Sequence, residues 1–372
     1  MKVAYFIGAL NQGGMESLTL DICTRHKDAG FDVVCLYRND GNYSNKFQDA
    51  GVPLIKINFT NIVSYVWRLR KLILREKIDI VHAQTQSNAL VCIMALLRTG
   101  IPIVTTLHGF SFSEANRLYR SVIYRFCKSI LCVSEYQKKY YVDKWHLAPK
   151  NKLQVIYNGI DFSKFDIEYP IPDFLEKDNL AQLHDENCSA PIRLAMIGSF
   201  MSGRSQLFLL KSLHLLSQQT TIGFVFYFVG KRVESEPWRY DECVEYAEQN
   251  NLLDRVRFVG GRGDVPAILQ HIDGFVYSTE HDTFGIAVVE ALGAGVPVVA
   301  NDWTVMKEIT QNGKWGGLYK TNDYQGCVWA ILELLQHIEQ RKQEARQQAV
   351  AVREKYAIEN HIKQLGELYE SC

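Results

Sequence analysis

The sequence predicts an α/β protein built from two tandem Rossmann-like domains with a cleft between them. Three observations lead there. Short β-branched or aromatic runs alternate with longer helical patterns as far as Tyr157. Between Asp161 and Ala190 the alternation dissolves into DFSKFDIEYPIPDFLEKDNLAQLHDENCSA, and at Ile192 it restarts. Short apolar runs separated by crossover-length segments are the pattern of parallel strands covered by helices on both faces.

Taken in order, VAYFIG (3–8), VVCLYR (33–38), LIKI (54–57), IDIVHA (78–83), IPIVTTLHG (101–109), SILCVS (129–134) and LQVIY (153–157) read as buried strands. Segments such as VSYVWRLRKLILREK (63–77) and SNALVCIMALLRTG (87–100) are long enough for crossover helices,. The interruption is rich in Pro, Asp and Asn and reads as a linker or inter-domain excursion. IRLAMIG (192–198), GFVFYFVG (223–230), VRFVG (256–260), GFVYST (274–279) and PVVAN (297–301) are the strands of the second series. From about Tyr324 the chain is helical, with polar i,i+4 pairs around a sparse apolar stripe,. The expected boundaries are 1–165, a linker at 166–190, 191–350, and a C-terminal helix at 351–372. Ligands of such folds lie at the carboxyl ends of the strands.

At 372 residues, 47% hydrophobic and 22% charged, the chain is long enough for two cores,. No run approaches the roughly 20 apolar residues of a membrane span. The start, MKVAYFIGALNQGG, has too short an apolar part and no convincing cleavage site for a signal peptide, and reads as the first strand. Nine cysteines are scattered singly with no C-x-x-C pair. That argues against a disulfide framework or a zinc site and for a reducing cytosol. The net charge of zero hides an asymmetry. Residues 1–165 hold 22 Lys/Arg against 12 Asp/Glu, about +10; the remaining 19 and 29 leave residues 166–372 about −10. A basic first half favours an anionic partner, or is simply a surface of different composition.

Two loops carry the chemistry. In GALNQGGMES, Gly8 and Gly13 have the G-x-x-x-x-G spacing of a P-loop, but Gly14 and Met15 stand where Lys and Ser or Thr belong,. The second is STEHDTFGIAVVEALGAGVPVVAND (278–302). It places Glu280, Asp282 and the free amides of Phe284, Gly285 and Ile286 at a strand end beside a helix amino terminus, where anions and hydroxyl-rich ligands bind. Glu290 is acidic within an apolar stretch, where a carboxylate needs strong hydrogen bonds such as those of a ribose diol. Alone, these residues also fit a capping Asp and a solvent-facing Glu.

The pattern D-x-F-G-x-x-x-x-E-A-x-x-x-G-x-P-V-V-A resembles the signature of the retaining nucleotide-sugar glycosyltransferases of family 4, which have the GT-B fold. In that family the second acid, here Glu290, holds the nucleotide ribose. Asp282 stands where the first Glu faces the transferred sugar, with Glu280 as a substitute two residues earlier. GALNQGGMES resembles the loop that approaches the donor phosphates and the acceptor, with Gly13, Gly14 and, on the acceptor side, Glu16. VTTLHG places His108 where the family keeps a histidine beside the anomeric carbon; taken alone it is as readily structural. His82 also ends a strand and reads as structural, with acceptor contact as the alternative. VSEYQKKYY, VIYNGID and the closing YAIENHIKQLGELYE, a helix that crosses back onto the first domain, match in order. After the first strand of the second domain the family reads G-R-x-x-x-x-K-G, whose two cations clamp the diphosphate. Here the stretch is GSFMSGRSQ: Ser199 replaces the Arg and Arg204 falls at the Lys. Lys231, Arg232 or Arg262 then supplies a second cation, or Arg204 suffices with the helix dipole.

The resemblance implies a metal-independent retaining transferase that needs no cofactor. It would move a sugar from a nucleotide-diphosphate-sugar to a lipid-linked or polysaccharide hydroxyl, with the base near the VGGRG loop (259–263). Domain closure would then exclude water. No His, Cys and Asp cluster has metal-ligand spacing. The alternatives are a GT-B nucleotide-sugar epimerase and a weakly catalytic nucleotide-sugar-binding protein; a nicotinamide oxidoreductase lacks its G-x-G-x-x-G here. VWRLRKLILREK (66–77) and RLYRSVIYRFCK (117–128) interleave basic and apolar residues. They fit either peripheral contact with an anionic membrane, at the inner face of the cytoplasmic membrane, or crossover helices with a solvated basic side. Nothing resembles a nucleic-acid recognition element.

Overall fold

The computed structural model describes residues 1–11, 13–110, 117–145, 152–178 and 190–372. The chain forms two compact units, Met1–Asp161 with Tyr356–Cys372, and Phe162–Lys355.

The first unit contains β1 (Lys2–Phe6), α1 (Gly14–Arg25), β2 (Asp32–Tyr37), α2 (Ser44–Asp49), β3 (Leu54–Lys56), α3 (Ile62–Arg75), β4 (Ile80–Ala83) and α4 (Gln86–Leu96). Then come β5 (Ile103–Leu107), α5 (Arg117–Phe126), β6 (Ser129–Cys132), α6 (Glu135–Trp145) and β7 (Leu153–Val155). The strands form one parallel sheet in the order β3-β2-β1-β4-β5-β6-β7. Because strand side chains alternate between faces, β1 feeds two cores. Ala4 and Phe6 pack with Leu69, Ile73, Val81 and Cys92 on the side of α3 and α4. Val3 and Tyr5 pack with Leu18, Ile22, Ile362 and Leu365 on the other.

The second unit opens with α7 (Asp173–Glu176) and continues with β8 (Ile192–Ile197), α8 (Gln206–Ser217), β9 (Phe224–Val229), α9 (Trp238–Gln249), β10 (Val256–Gly260), α10 (Val265–Gln270) and β11 (Gly274–Tyr277). It ends with α11 (Ile286–Gly293), β12 (Val298–Asn301), α12 (Thr304–Ile309), β13 (Gly317–Tyr319), α13 (Tyr324–Gln336) and α14 (Ile338–Tyr356). Its parallel sheet runs β10-β9-β8-β11-β12-β13. The edge strand β13 was not expected from the sequence: three residues in a Gly-rich stretch leave no readable period.

The last helix, α15 (Ile358–Glu370), belongs to the first unit. Ile358, Ile362, Leu365 and Tyr369 recur at helical spacing and are buried there,. The backbone of Ile160 brackets its start: the Ile160 amide donates to Tyr356 O and the Ile358 amide to Ile160 O. A Cβ at Gly159 would lie 2.7 Å from Ile358 Cα, so glycine is what lets the NGID segment approach the helix. Arg25 closes the junction through a 2.7 Å ion pair with Asp161.

In both sheets the strand order reverses beside the first strand, between β1 and β4 and between β8 and β11. Helices leave to opposite faces there, which opens a crevice at the strand carboxyl ends. Gly13 and Gly14 fall at the first of these points and Ser199, Arg204 and Asp282 at the second, while His108 follows β5 and Arg232 and Arg262 follow β9 and β10.

Candidate active site

In the second unit the loop after β8 meets the loop after β11. The amide of Ser205 donates to Ser278 O and that of Glu280 to Gly203 O, tying the two loops together. Thr279 Oγ1 adds a 2.6 Å bond to Gly203 O. This clamp brings Arg204 to Asp282, with Nη1 2.6 Å from Oδ2. The same Oδ2 accepts from Tyr277 Oη at 2.8 Å, and the guanidinium lies over the Tyr277 ring, 5.4 Å from its centroid. Trp303 Nε1 holds the Asp282 carbonyl at 3.3 Å. Burial would lower the Arg204 pKa, but its interactions with Tyr277 and with the Asp282 carboxylate outweigh it and the net direction is upward. Burial drives the Tyr277 phenol well above its ordinary value, so it stays protonated and donates.

Asp282 is buried whereas Glu280 is exposed, so Asp282 is the carboxylate built into the site. The amide of Phe284 is not free, as the sequence reading had it: it donates to Asp282 Oδ1 at 3.3 Å, because an Asp at a turn reaches its own backbone two residues on,. Gly285 caps α11 with φ 86°, a conformation that disfavours any side chain, and a Cβ there would lie 2.8 Å from Met306 Cε,. Ile286 then starts the helix, ahead of any intrahelical acceptor for its N–H,. Glu290 is half-buried one turn on, and Cβ direction in a helix carries it back toward that amino terminus,.

The other cations are unevenly placed. Arg262 is bidentate to Asp264, at 2.9 and 2.6 Å, with Asp173 at 3.0 Å. Arg232 is bidentate to Asp241. Lys231 has no acidic partner among the described residues. Its stem crosses Gly261, where a Cβ would lie 2.3 Å from Lys231 Cγ, and its carbonyl accepts from the Phe200 amide beside Ser199. Ser199 itself is half-buried, its carbonyl held by Gln206 Nε2.

The first unit presents its residues after β1, β4 and β5. Gly13 caps α1, and a Cβ on it would lie 2.6 Å from Glu16 Oε2: the carboxylate folds back over the helix start. Gly14 is exposed, and desolvation raises the Glu16 pKa. His108 Nε2 lies 2.9 Å from Gln84 Oε1, and desolvation, followed by His361, lowers its pKa to about 4, leaving a neutral imidazole. His82 has the structural setting expected of the first of its two readings. It is buried, with Nδ1 2.6 Å from Tyr369 Oη and Nε2 2.7 Å from Thr106 Oγ1, and Tyr369 in turn meets Tyr5 Oη at 2.7 Å. The sequence carried no sign of this run of hydrogen bonds, in which Tyr5 and Tyr369 lie 364 residues apart. Nor did it mark Tyr277, which reads as one more apolar strand residue. Among the described residues no three His, Cys, Asp or Glu are grouped to hold a metal ion.

Residues 12–164 match the family model Glycosyltransferase Family 4, and residues 191–337 match Glycosyl transferases group 1. The chain is 24% identical over 320 residues to the UDP-Gal:alpha-D-GlcNAc-diphosphoundecaprenol alpha-1,3-galactosyltransferase of Escherichia coli, covering 82% of this chain and 80% of that one. It is 20% identical over 324 residues to the capsular polysaccharide biosynthesis glycosyltransferase CapH of Staphylococcus aureus, 84% of each. Among solved structures, Anabaena Alr3699/HepE in complex with UDP and glucose superposes with a TM-score of 0.85 at 20% identity, over 100% of both chains. WaaG, a glycosyltransferase involved in lipopolysaccharide biosynthesis, gives 0.71 at 16% identity, again over 100% of both. With a family match in each unit and a GT-B fold along its whole length, the chain belongs to the family 4, or group 1, glycosyltransferases.

Proposed function

We propose that this glycosyltransferase takes a sugar, with retention, from a nucleoside-diphosphate sugar and passes it to a hydroxyl of a lipid-linked or saccharide acceptor at the inner face of the cytoplasmic membrane. The observation that carries the donor half is the meeting of Arg204 and Asp282 at the β8/β11 reversal beside the α11 amino terminus. A guanidinium and a helix end supply positive charge where a diphosphate leaves, and a carboxylate beside them suits the hydroxyls of the sugar. Glu290 holds the ribose. The uridine donor is favoured by the UDP and glucose bound to Alr3699/HepE and by the UDP-Gal in the name of the Escherichia coli relative. That relative's name also contains a diphosphoundecaprenol acceptor, which supports the lipid-linked reading.

Stabilisation of the leaving diphosphate falls to these groups and to no metal ion or cofactor, and the acceptor proton leaves with the diphosphate oxygen. His108, neutral at pH 7, donates or accepts a hydrogen bond without adding charge near the reacting carbon. A mass-spectrometric screen of nucleotide sugars with a lipid-linked acceptor, run with and without EDTA, tests the reading. Sugar transfer unaffected by EDTA is expected, with Glu290→Ala raising the donor KM and His108→Ala lowering turnover by 100-fold or more, on the order of a general catalytic group. Normal kinetics in both variants would overturn the site assignment.

A further inference from the structure

The Arg204–Asp282 pair presents a conflict that rests on the donor-site reading above. The same guanidinium that should meet the diphosphate is already held by the carboxylate that should meet the sugar. Arg204 is 22% exposed while Asp282 is 9% exposed, so an anion can reach the first but hardly the second. When Arg204 turns to a diphosphate, Asp282 loses its counterion in an enclosed position, which is costly unless other donors remain. Two do: the Tyr277 hydroxyl at 2.8 Å and the Phe284 amide at 3.3 Å. The shorter of them is the phenol, fixed in β11 and fully enclosed.

We propose that Tyr277 is a positioning residue of the donor site, holding the Asp282 carboxylate in place while Arg204 leaves it for the diphosphate. The phenol serves both states. With no donor bound it shares Oδ2 with Arg204 and offers its ring face to the guanidinium, and with donor bound it keeps Asp282 hydrogen-bonded and aimed at the sugar. Without the hydroxyl, the carboxylate would hold Arg204 more firmly, and the anion would compete for it at a disadvantage.

The test is direct binding of UDP and of inorganic pyrophosphate by titration calorimetry to the full-length protein. Asp282→Asn frees Arg204 and is expected to tighten both ligands. Tyr277→Phe removes a single oxygen and is expected to weaken both, each change on the order of tenfold, the size of an ordinary coupling between sites. The two act through one carboxylate, so the double variant should bind like Asp282→Asn alone. A general loss of packing would instead weaken binding in both backgrounds. The proposal is overturned if Tyr277→Phe binds as wild type, or if its loss persists when Asp282 is Asn. Arg204→Ala separates this from the underlying reading. Undiminished binding in that variant, or no binding of either ligand by the wild type, overturns the donor site itself. In steady state the Tyr277→Phe defect should also split, with the donor KM rising and kcat falling as the carboxylate loses its aim.

Discussion

Where the family pattern has an arginine after the first strand of its second domain, this chain has Ser199; either Arg204 suffices with the helix dipole or a second cation comes from a neighbouring loop. Sequence alone left Lys231, Arg232 and Arg262 as equals. Their partners separate them: both arginines are engaged bidentately by carboxylates, whereas Lys231 lies beside the Ser199 loop without one. Lys231→Ala should therefore raise the donor KM on the order of tenfold, the worth of one hydrogen bond to a charged group. Arg232→Ala should change it little, and steady-state kinetics with one donor would show whether that order is reversed. The case also marks what residue-level reading can reach. Asp282 and Glu290 could be picked as candidates because they sit at a fixed spacing within one stretch, and Arg204 because it follows a strand at a set distance. The hydroxyl of Tyr277 was not, since an aromatic in a strand satisfies the apolar pattern whether or not its oxygen has work.

At the scale of the element, α15 shows the same division. Its amphipathic spacing was readable and its return to the first unit was implied by the family resemblance, but the polar groups beneath it were not legible, because nothing local pairs His82 with Tyr369 or His361 with the Tyr157 carbonyl. Those contacts make the docking sensitive to acid. Burial first, with the Tyr157 carbonyl opposing it, takes the His361 pKa down to about 4; burial also depresses His108 to about 4 and His82 well below its ordinary value. A depressed histidine is neutral in the fold and binds protons more readily in the unfolded chain. Its contribution is thus whole above about pH 6.5 and is lost as pH falls toward 4. Within that window each such group removes at most about 1.4 kcal/mol per pH unit. Calorimetric melting of the full chain should show the first unit weakening from pH 7 to 5. His361→Asn, which keeps a donor for Tyr157 and cannot charge, should make that slope shallower; an unchanged slope would mean that His361 does not contribute to it.

Across the whole molecule the charge is divided by half of the chain, about +10 before residue 166 and about −10 after it. The structure shows where the first half places its apolar surface. Val63 is 76% exposed, Trp67 59% and Leu118 71%, with Phe59, Ile62, Leu74, Met94, Leu97, Tyr119 and Phe126 also outward. These residues lie on or beside α3, α4 and α5, which pack side by side on one face of the sheet and contain no acidic residue. Lys71 lies over the Trp67 ring at 5.3 Å, an aromatic with a basic head beside it. Exposed Trp and Leu beside basic side chains are the composition that a helix lying in a lipid interface requires. No described helix is long and apolar enough to cross a membrane. Sedimentation with vesicles should give strong binding to phosphatidylglycerol, little to phosphatidylcholine, and loss of binding at high salt, since each basic side chain near an anionic surface adds about 1 kcal/mol. Trp67→Glu with Leu118→Glu should abolish pelleting while leaving transfer to a detergent-dispersed acceptor intact. Equal binding to neutral vesicles, or undiminished pelleting of the double variant, would remove this face from the acceptor's route.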